Sequence, residues 1–296
     1  MRIIQEKLTY KLWEYFKKLY WQQQLIPDGY EIILDHFAII DIPSANSGIK
    51  TLEKIFTKLG YIRRGEGYLE TKQNAFIWMG TANMLKEKYI NSLPQLVLAD
   101  FSLENLSTPL QEIVNKYACN ITPFPFSYLD DLLAEVKDSN TPAIEKIVEL
   151  LFNYLTNRTW PKPSLEEYQI VHRENELLSW VIACGRTINH FGICINNITQ
   201  FNSFAEYTKY LLENNISLNE CGGIIKGSRA LGLEQAATVG NNMLIQLSNG
   251  EILLPSPFIE FIWRHPLNDS PKLIGDYYTN FLPANANNII ESVYDA

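Results

Sequence analysis

The chain has 296 residues, of which 46% are hydrophobic and 12% aromatic, which is enough apolar material for a packed core. The formal net charge is −8 and the basic residues are spread out, which argues against a nucleic-acid or anionic-membrane partner. Because the sequence has neither a signal peptide nor a long apolar span, and its four cysteines lack C-x-x-C spacing, we expect a cytoplasmic protein with reduced thiols.

Hydrophobic periodicity divides the chain into five predicted parts, which we expect to form a single α+β domain. These parts are an N-terminal amphipathic helix (1–28), a β-α-β-β-β module (29–102), a helical insertion (103–185), a second β-α-β-β-β module (186–268) and a C-terminal tail (269–296). The repeat is one of element order, because the two modules share negligible sequence identity.

Each module begins with an apolar strand that carries one histidine near its middle. His36 lies in EIILDHFAIIDI and His190 in INHFGICINN, and the predicted last strand, ILLPSPFIEFIWR, carries Glu260. Two imidazoles and one carboxylate on one face of an ion leave the opposite face open for substrate and O₂, as in Fe(II) oxygenases. His36, His190 and Glu260 are therefore candidate metal ligands, and no catalytic residue is predicted beyond them.

Strand alternation supports this placement, because side chains two residues apart share one face of a strand. On the first strand Ala38 and Ile40 share the face of His36, whereas Asp35 is expected to point the other way. On the second strand Gly192 leaves space beside the histidine. The two candidate histidines thus face an apolar or open region.

A structural role is the alternative, because a single histidine on a strand is more often a hydrogen-bonded core residue than a ligand. Glu260 needs a partner among apolar neighbours, and either a metal ion or Arg264 would serve. His172 and His265 are expected to be surface or structural residues. The segment GGIIKGSRALG lacks the spacing of a phosphate-binding loop and is predicted to form a hairpin turn.

Six segments together resemble the 2-oxoadipate dioxygenase/decarboxylase family, also called 2-hydroxyglutarate synthase. They are DHFAIID, GYLETKQNAFIWM, LPQLVLADFS, SWVIACGRTINHFGICI, GGIIKGS and IEFIWR. The resemblance implies a fold similar to the vicinal-oxygen-chelate superfamily, in which two modules form a curled sheet around one metal. It also implies that the ligands are His36, His190 and Glu260, the residues already selected from their strands.

The chemistry that this resemblance implies is Fe(II)-dependent oxidation of a 2-oxo acid, with O₂ uptake, CO₂ release and a shortened 2-hydroxy acid as product. Zn, Mn or Ni can replace the iron on purification. Ile40 stands where the family is expected to have an arginine that holds a second substrate carboxylate. Arg64, Arg186, Lys226 and Arg264 are candidate substitutes, each with an alternative role at the surface or in an ion pair. A more apolar 2-oxo acid is equally admissible.

Two other functions stay open at this point. A metal-dependent isomerase or hydrolase could use the same site, since a fold does not fix a reaction. A non-catalytic binding module could also retain the fold. The expected partners are a small 2-oxo acid and O₂, with no nucleic acid and no membrane, and the oligomeric state is not predicted.

Overall fold

A mixed sheet of eight strands lies at the centre of the computed structural model, which describes residues 1–21, 25–136 and 141–293. The remaining residues, which belong to the predicted N-terminal part, insertion and tail, lie outside the described residues. The strands are β1 (Leu34–Ile40), β2 (Tyr61–Leu69), β3 (Asn74–Thr81), β4 (Gln95–Phe101), β5 (Thr187–Cys194), β6 (Lys226–Ser228), β7 (Leu233–Ala237), β8 (Asn242–Gln246), β9 (Glu251–Pro255) and β10 (Phe258–Arg264). Strands β8 and β9 form a separate two-stranded sheet.

The strand order shows the internal repeat directly. Across the sheet the strands run β2-β3-β4-β1-β5-β10-β7-β6. In each half the first strand pairs in parallel with the last strand, β1 with β4 and β5 with β10, and two antiparallel strands continue outward. The halves join where β1 and β5 pair antiparallel. The predicted α+β fold of two β-α-β-β-β modules is therefore confirmed, with the β8–β9 hairpin inserted before the last strand.

Helices cover the sheet and fill the connection between the modules. They are α1 (Arg2–Tyr20), α2 (Ile49–Lys58), α3 (Thr108–Ala118), α4 (Phe126–Glu135), α5 (Thr141–Thr156), α6 (Leu165–Glu174), α7 (Glu176–Cys184), α8 (Phe204–Glu213) and α9 (Pro283–Ile289). Each module has its crossover helix, α2 or α8, after its first strand, as a parallel pair requires. In the described part of the chain, no helix is long and apolar enough to cross a membrane.

The central strands are buried on both faces, which explains their nearly continuous apolar sequences. On one face Phe37 and Ile39 pack into a core that includes α1, α2 and α8. Alternate residues of the same strand, His36, Ala38 and Ile40, line a cavity on the other face. The sheet thus presents its histidine-bearing face to a space that is separate from the main core.

Two predicted elements differ from the structure. The segment ILLPSPFIEFIWR is not one strand but two, β9 and β10, which belong to different sheets. Pro255 and Pro257 mark the break, because proline has no N–H for a sheet ladder. The C-terminal tail also does more than predicted: residues 281–290, which include α9, cover the cavity, and we call them the C-terminal roof.

Candidate metal centre

His36, His190 and Glu260 converge on one point at the cavity. The Nε2 atoms of His36 and His190 are 3.2 Å apart, and Oε2 of Glu260 is 3.2 Å from each of them. All three residues are buried. Residues separated by more than 200 positions in the sequence therefore form one cluster that could hold a metal ion.

The internal repeat explains why these strands meet. His36 on β1 and His190 on β5 occupy equivalent strands, and each lies opposite a small residue of the other strand, Gly192 and Ala38 respectively. The close approach of the His36 ring to β5 requires a glycine at position 192, because a Cβ atom there would lie 2.4 Å from Cε1 of His36. The ring of His36 occupies the space that the missing side chain of Gly192 leaves on this face.

The same repeat explains why the cluster has three donors. Glu260 pairs with the residue two positions after His190, and Val97 pairs with the residue two positions after His36. Val97 therefore occupies the position in the first module that Glu260 occupies in the second. An apolar side chain at this fourth position leaves that side of the cluster without a protein donor and lines the cavity instead.

Each histidine is preceded by the extra residue of a β-bulge. The β1–β5 register shifts between Leu34 and His36 and again between Ala38 and Ile39, so that Asp35 and Asn189 are the residues without an opposite partner. Asp35 Oδ1 lies 3.0 Å from Nδ1 of His36, and Asn189 Oδ1 lies 2.8 Å from Nδ1 of His190. Each imidazole donates from Nδ1 and turns Nε2 toward the cluster.

The bulge corrects the expectation that Asp35 points away from His36. Strict alternation fails at a bulge because one extra residue changes the direction of the side chains locally. Both oxygens of Asp35 accept from Arg264, at 2.7 Å from Nε and 2.8 Å from Nη2. Burial raises the pKa of Asp35, but Arg264 and His36 outweigh it and hold this pKa well below its usual value. Asp35 is therefore an anion that orients His36.

A hydrogen-bonded chain holds the second oxygen of Glu260. Gln235 Nε2 donates to Glu260 Oε1, and Gln235 Oε1 accepts from Asn285 Nδ2 at 2.7 Å. Asn285 belongs to the C-terminal roof, so this chain connects the roof to the carboxylate. Only Oε2 of Glu260 then faces the two imidazoles.

The protonation states of the cluster follow from its charges. Burial lowers the pKa of His36, but Glu260 and Asp35 outweigh it and raise this pKa to about 9. Burial raises the pKa of Glu260, yet the two histidines lower it to about 2. Burial lowers the pKa of His190. A metal ion that binds here therefore takes the place of a proton on His36.

The donor set suits a first-row transition metal such as iron or zinc. Donors about 2.1 Å from a common ion are roughly 3.0–3.4 Å apart at octahedral or tetrahedral angles, and the observed separations of 3.2 Å fall within this range. Both imidazoles are oriented through Nδ1, and the carboxylate is held through its other oxygen. The residues present thus fit a metal ion.

The open side of the cluster meets a cavity of about 60 Å³. Strands β1, β3 and β4 contribute Ile40, Phe76 and Val97, and the C-terminal roof contributes Phe281, Ile289 and Ile290. Apart from the three donors, its polar lining residues are Asn74 and Gln235, and both are hydrogen bonded within the protein.

The candidate substrate-binding residues are not brought together. Ile40 lines the cavity, as its place on the His36 face predicted. Arg264 is bound by Asp35, and Arg186 donates to Asp41 at 2.8 Å and to the carbonyl of Tyr154. Both guanidinium groups are buried and hydrogen bonded to other protein groups, and neither lines the cavity.

The two remaining candidates also lie outside the cavity lining. Lys226 donates to the carbonyl oxygens of Asn219 and Ile224, and burial lowers its pKa to about 8. Arg64 donates to the carbonyl oxygen of Thr81 at 2.7 Å. We expected one of these cations to replace the arginine that is missing at position 40. Among the described residues, no contact supports this expectation.

Several residues at the site have no signal in local sequence patterns. Contacts between distant segments bring Gln235, Asn285 and Phe281 to the site. The ring centroids of Phe281 and His36 are 4.9 Å apart. The other two histidines have structural contacts, as expected. Nε2 of His265 lies 2.8 Å from a carboxylate oxygen of Glu234, and Nδ1 of His172 lies 3.1 Å from the hydroxyl of Ser179.

The chain matches a known protein family over most of its length. The family model described as 2-oxoadipate dioxygenase/decarboxylase matches residues 13–260. A rice protein named 2-oxoadipate dioxygenase/decarboxylase is 27% identical over 278 residues, which is 90% of this chain and 70% of the rice protein. The family match thus includes the helical insertion and ends within β10.

Solved structures share the fold. A crystal structure of rice hydroxyglutarate synthase in complex with 2-oxoadipate superposes with a TM-score of 0.72 and 24% identity, covering 99% of this chain and 91% of that one. A glyoxalase-superfamily protein from Ralstonia eutropha gives 0.75 and 17% identity, covering 88% and 83%. The predicted vicinal-oxygen-chelate-like fold is therefore confirmed.

Proposed function

The chain belongs to the 2-oxoadipate dioxygenase/decarboxylase family, and on this basis we propose that it is an Fe(II)-dependent dioxygenase that decarboxylates a 2-oxo acid. The observation that carries the proposal is the group of His36, His190 and Glu260, whose donor atoms are 3.2 Å apart beside a cavity. Two imidazoles and one carboxylate with an open opposite side are the ligand set of non-haem Fe(II) oxygenases.

The proposed reaction balances with O₂ as the oxidant. The C1–C2 bond of the 2-oxo acid breaks, and C1 leaves as CO₂. One oxygen atom joins C2, which becomes the new carboxylate carbon, and the other is inserted into a C3–H bond. The decarboxylation and the hydroxylation each remove two electrons from the acid, and these four electrons reduce one molecule of O₂. The product is a 2-hydroxy acid one carbon shorter.

The protein contributes the geometry, while Fe(II), when bound, supplies the redox chemistry and a Lewis acid for the 2-oxo acid. Asp35 and Asn189 accept from the Nδ1 atoms, which leaves both Nε2 lone pairs for the metal. Gln235 holds Oε1 of Glu260, which favours a single carboxylate oxygen as ligand. Val97 leaves the fourth position free for the substrate, and the rest of the cavity wall is largely apolar.

The test is oxygen uptake by the full chain, loaded with Fe(II) under anaerobic conditions and then mixed with O₂ and a panel of 2-oxo acids. We expect O₂ consumption and CO₂ release in equal amounts. His190→Ala should lose metal and turnover together, whereas the matched control His172→Ala, which removes a structural histidine, should retain both. Iron-loaded protein that consumes no O₂ with any 2-oxo acid would refute the proposal.

The same experiment separates the alternative functions. Turnover without O₂ that tolerates Zn²⁺ or Mn²⁺ would indicate an isomerase or hydrolase. Ligand binding that survives His190→Ala, without turnover, would indicate a binding module. Neither alternative has a specific contact in its favour, and family membership supports the dioxygenase.

A further inference from the structure

The cavity beside the three donors has walls that match an apolar ligand. Ile40 and Val97 on one side and Phe281, Ile289 and Ile290 on the other present hydrocarbon to its interior. All are buried or nearly so, and they pack within one apolar cluster together with Phe76. A ligand that binds the metal through one end therefore places its other end among aliphatic and aromatic side chains.

No lysine or arginine is among the residues that line this cavity in the described part of the chain. The guanidinium of Arg264, whose partner Asp35 also holds His36, is bound by both oxygens of Asp35 and donates to the carbonyl oxygens of Tyr278 and Asn280. The carboxylate of Asp35 therefore balances the charge of Arg264, and most of its N–H groups already donate to protein oxygens. A second substrate carboxylate would find no cationic side chain there, and the two amide side chains of the lining, Asn74 and Gln235, already donate to partners within the protein.

The charge balance of the site leads to the same conclusion. A divalent ion with the Glu260 carboxylate leaves one net positive charge, and the 1-carboxylate of a 2-oxo acid neutralises it. The Asp35–Arg264 pair adds no net charge. A second carboxylate in the cavity would thus be a buried, unpaired anion, which is strongly unfavourable.

We propose that the site selects 2-oxo acids with a short, uncharged aliphatic side chain and discriminates against 2-oxo dicarboxylates. This inference rests on the proposed function. It names Ile40, four residues after His36 on the same face of β1, as the residue that determines specificity at the cavity wall. The expected preference is at least about 100-fold, because an unpaired polar group in an apolar pocket is rejected more strongly than a missing methylene.

The experiment compares 2-oxohexanoate with 2-oxoadipate, which have the same number of carbon atoms and differ only in a terminal methyl or carboxylate. Calorimetry with the Zn²⁺-loaded full chain measures binding without turnover, and O₂ uptake by the Fe(II)-loaded chain measures kcat/KM. We expect both to favour 2-oxohexanoate, by roughly 100-fold or more. Equal or better binding and turnover of 2-oxoadipate would overturn the inference.

Two variant pairs strengthen the test. Ile40→Arg should shift relative binding toward 2-oxoadipate, while the neutral, similarly long Ile40→Met should keep the preference for 2-oxohexanoate. Lys226→Met should leave the preference unchanged, as should its matched control Lys209→Met at an exposed lysine. If Lys226→Met alone removes 2-oxoadipate binding, the ammonium reaches the substrate and the inference is wrong.

The outcomes distinguish this inference from the proposed function. Turnover of 2-oxoadipate in preference to 2-oxohexanoate refutes the specificity but leaves the dioxygenase in place. Failure of every 2-oxo acid to promote O₂ uptake refutes the dioxygenase. The comparison of wild-type binding does not depend on any variant, so poor folding of Ile40→Arg leaves the test intact.

Discussion

Gly192→Ala should disturb the metal centre with a single added methyl group. The new Cβ would lie 2.4 Å from Cε1 and 2.5 Å from Nδ1 of His36. An ordinary contact begins at 3.4 Å, so the ring or the strand must shift by about 1 Å. The ring has little freedom, because Asp35 accepts from its Nδ1 and the ring of Phe281 packs against it at 4.9 Å.

The expected cost divides between stability and metal affinity. Overpacking of a buried site typically costs about 1–3 kcal/mol of unfolding free energy. Misplacing an oriented ligand typically reduces metal affinity by roughly 10–100-fold, which corresponds to about 1.4–2.8 kcal/mol. We expect both effects, because a shift of His36 changes the 3.2 Å separations that place the three donors around one ion.

The assay is an anaerobic metal titration against a competing chelator, together with urea unfolding of the metal-free protein. Gly250→Ala is the matched control, because its Cβ would meet only Leu165 Cδ2 at 4.0 Å. This control should bind metal like the wild type. If Gly192→Ala also binds metal with wild-type affinity, the close approach of β5 to His36 does not position this ligand and our reasoning is wrong.

Three further predictions concern buried polar side chains. Asp35→Asn leaves the buried guanidinium of Arg264 without its anion and should lower the unfolding free energy by about 3–5 kcal/mol; a loss below about 1 kcal/mol in urea unfolding would contradict this. Asn285→Ala removes the donor to Gln235 Oε1 and should weaken metal binding by roughly tenfold, whereas unchanged affinity in the chelator titration would mean that Gln235 is held without the roof. Burial raises the pKa of Asp100 to about 6 in the folded protein, so its contribution to stability is present below pH 4 and is lost as the pH rises through about 6. Asp100→Asn should therefore exceed the wild type in stability at pH 8 and match it at pH 4, and urea unfolding that shows no pH-dependent difference would refute this.

The sequence was sufficient to predict the repeat and the three candidate ligands. Apolar runs and their period are local properties, so they identify β1, β5 and their crossover helices without knowledge of the contacts. A histidine near the middle of each equivalent strand follows from the same pattern. That these residues ligate a metal stays a proposal, although the structure brings their donor atoms together.

The bulges could not be predicted, because each depends on how two distant strands pair. Asp35 was expected on the far face by strict alternation, yet the register shift turns it toward His36 and Arg264. The same pairing gives Asn189 its place beside His190. Local patterns assume an uninterrupted pleat, and the pleat is interrupted at both histidines.

By itself, the sequence determined the order of the elements and which residues could supply metal donors, since both depend on residue type and local spacing. The tertiary structure alone decided what surrounds those donors. It assigned Arg264 to Asp35 rather than to a substrate, linked Glu260 to the C-terminal roof through Gln235, and gave the cavity its apolar wall. The physical reason is that a charged or polar side chain acquires its role from its partners, and these lie far away in the chain.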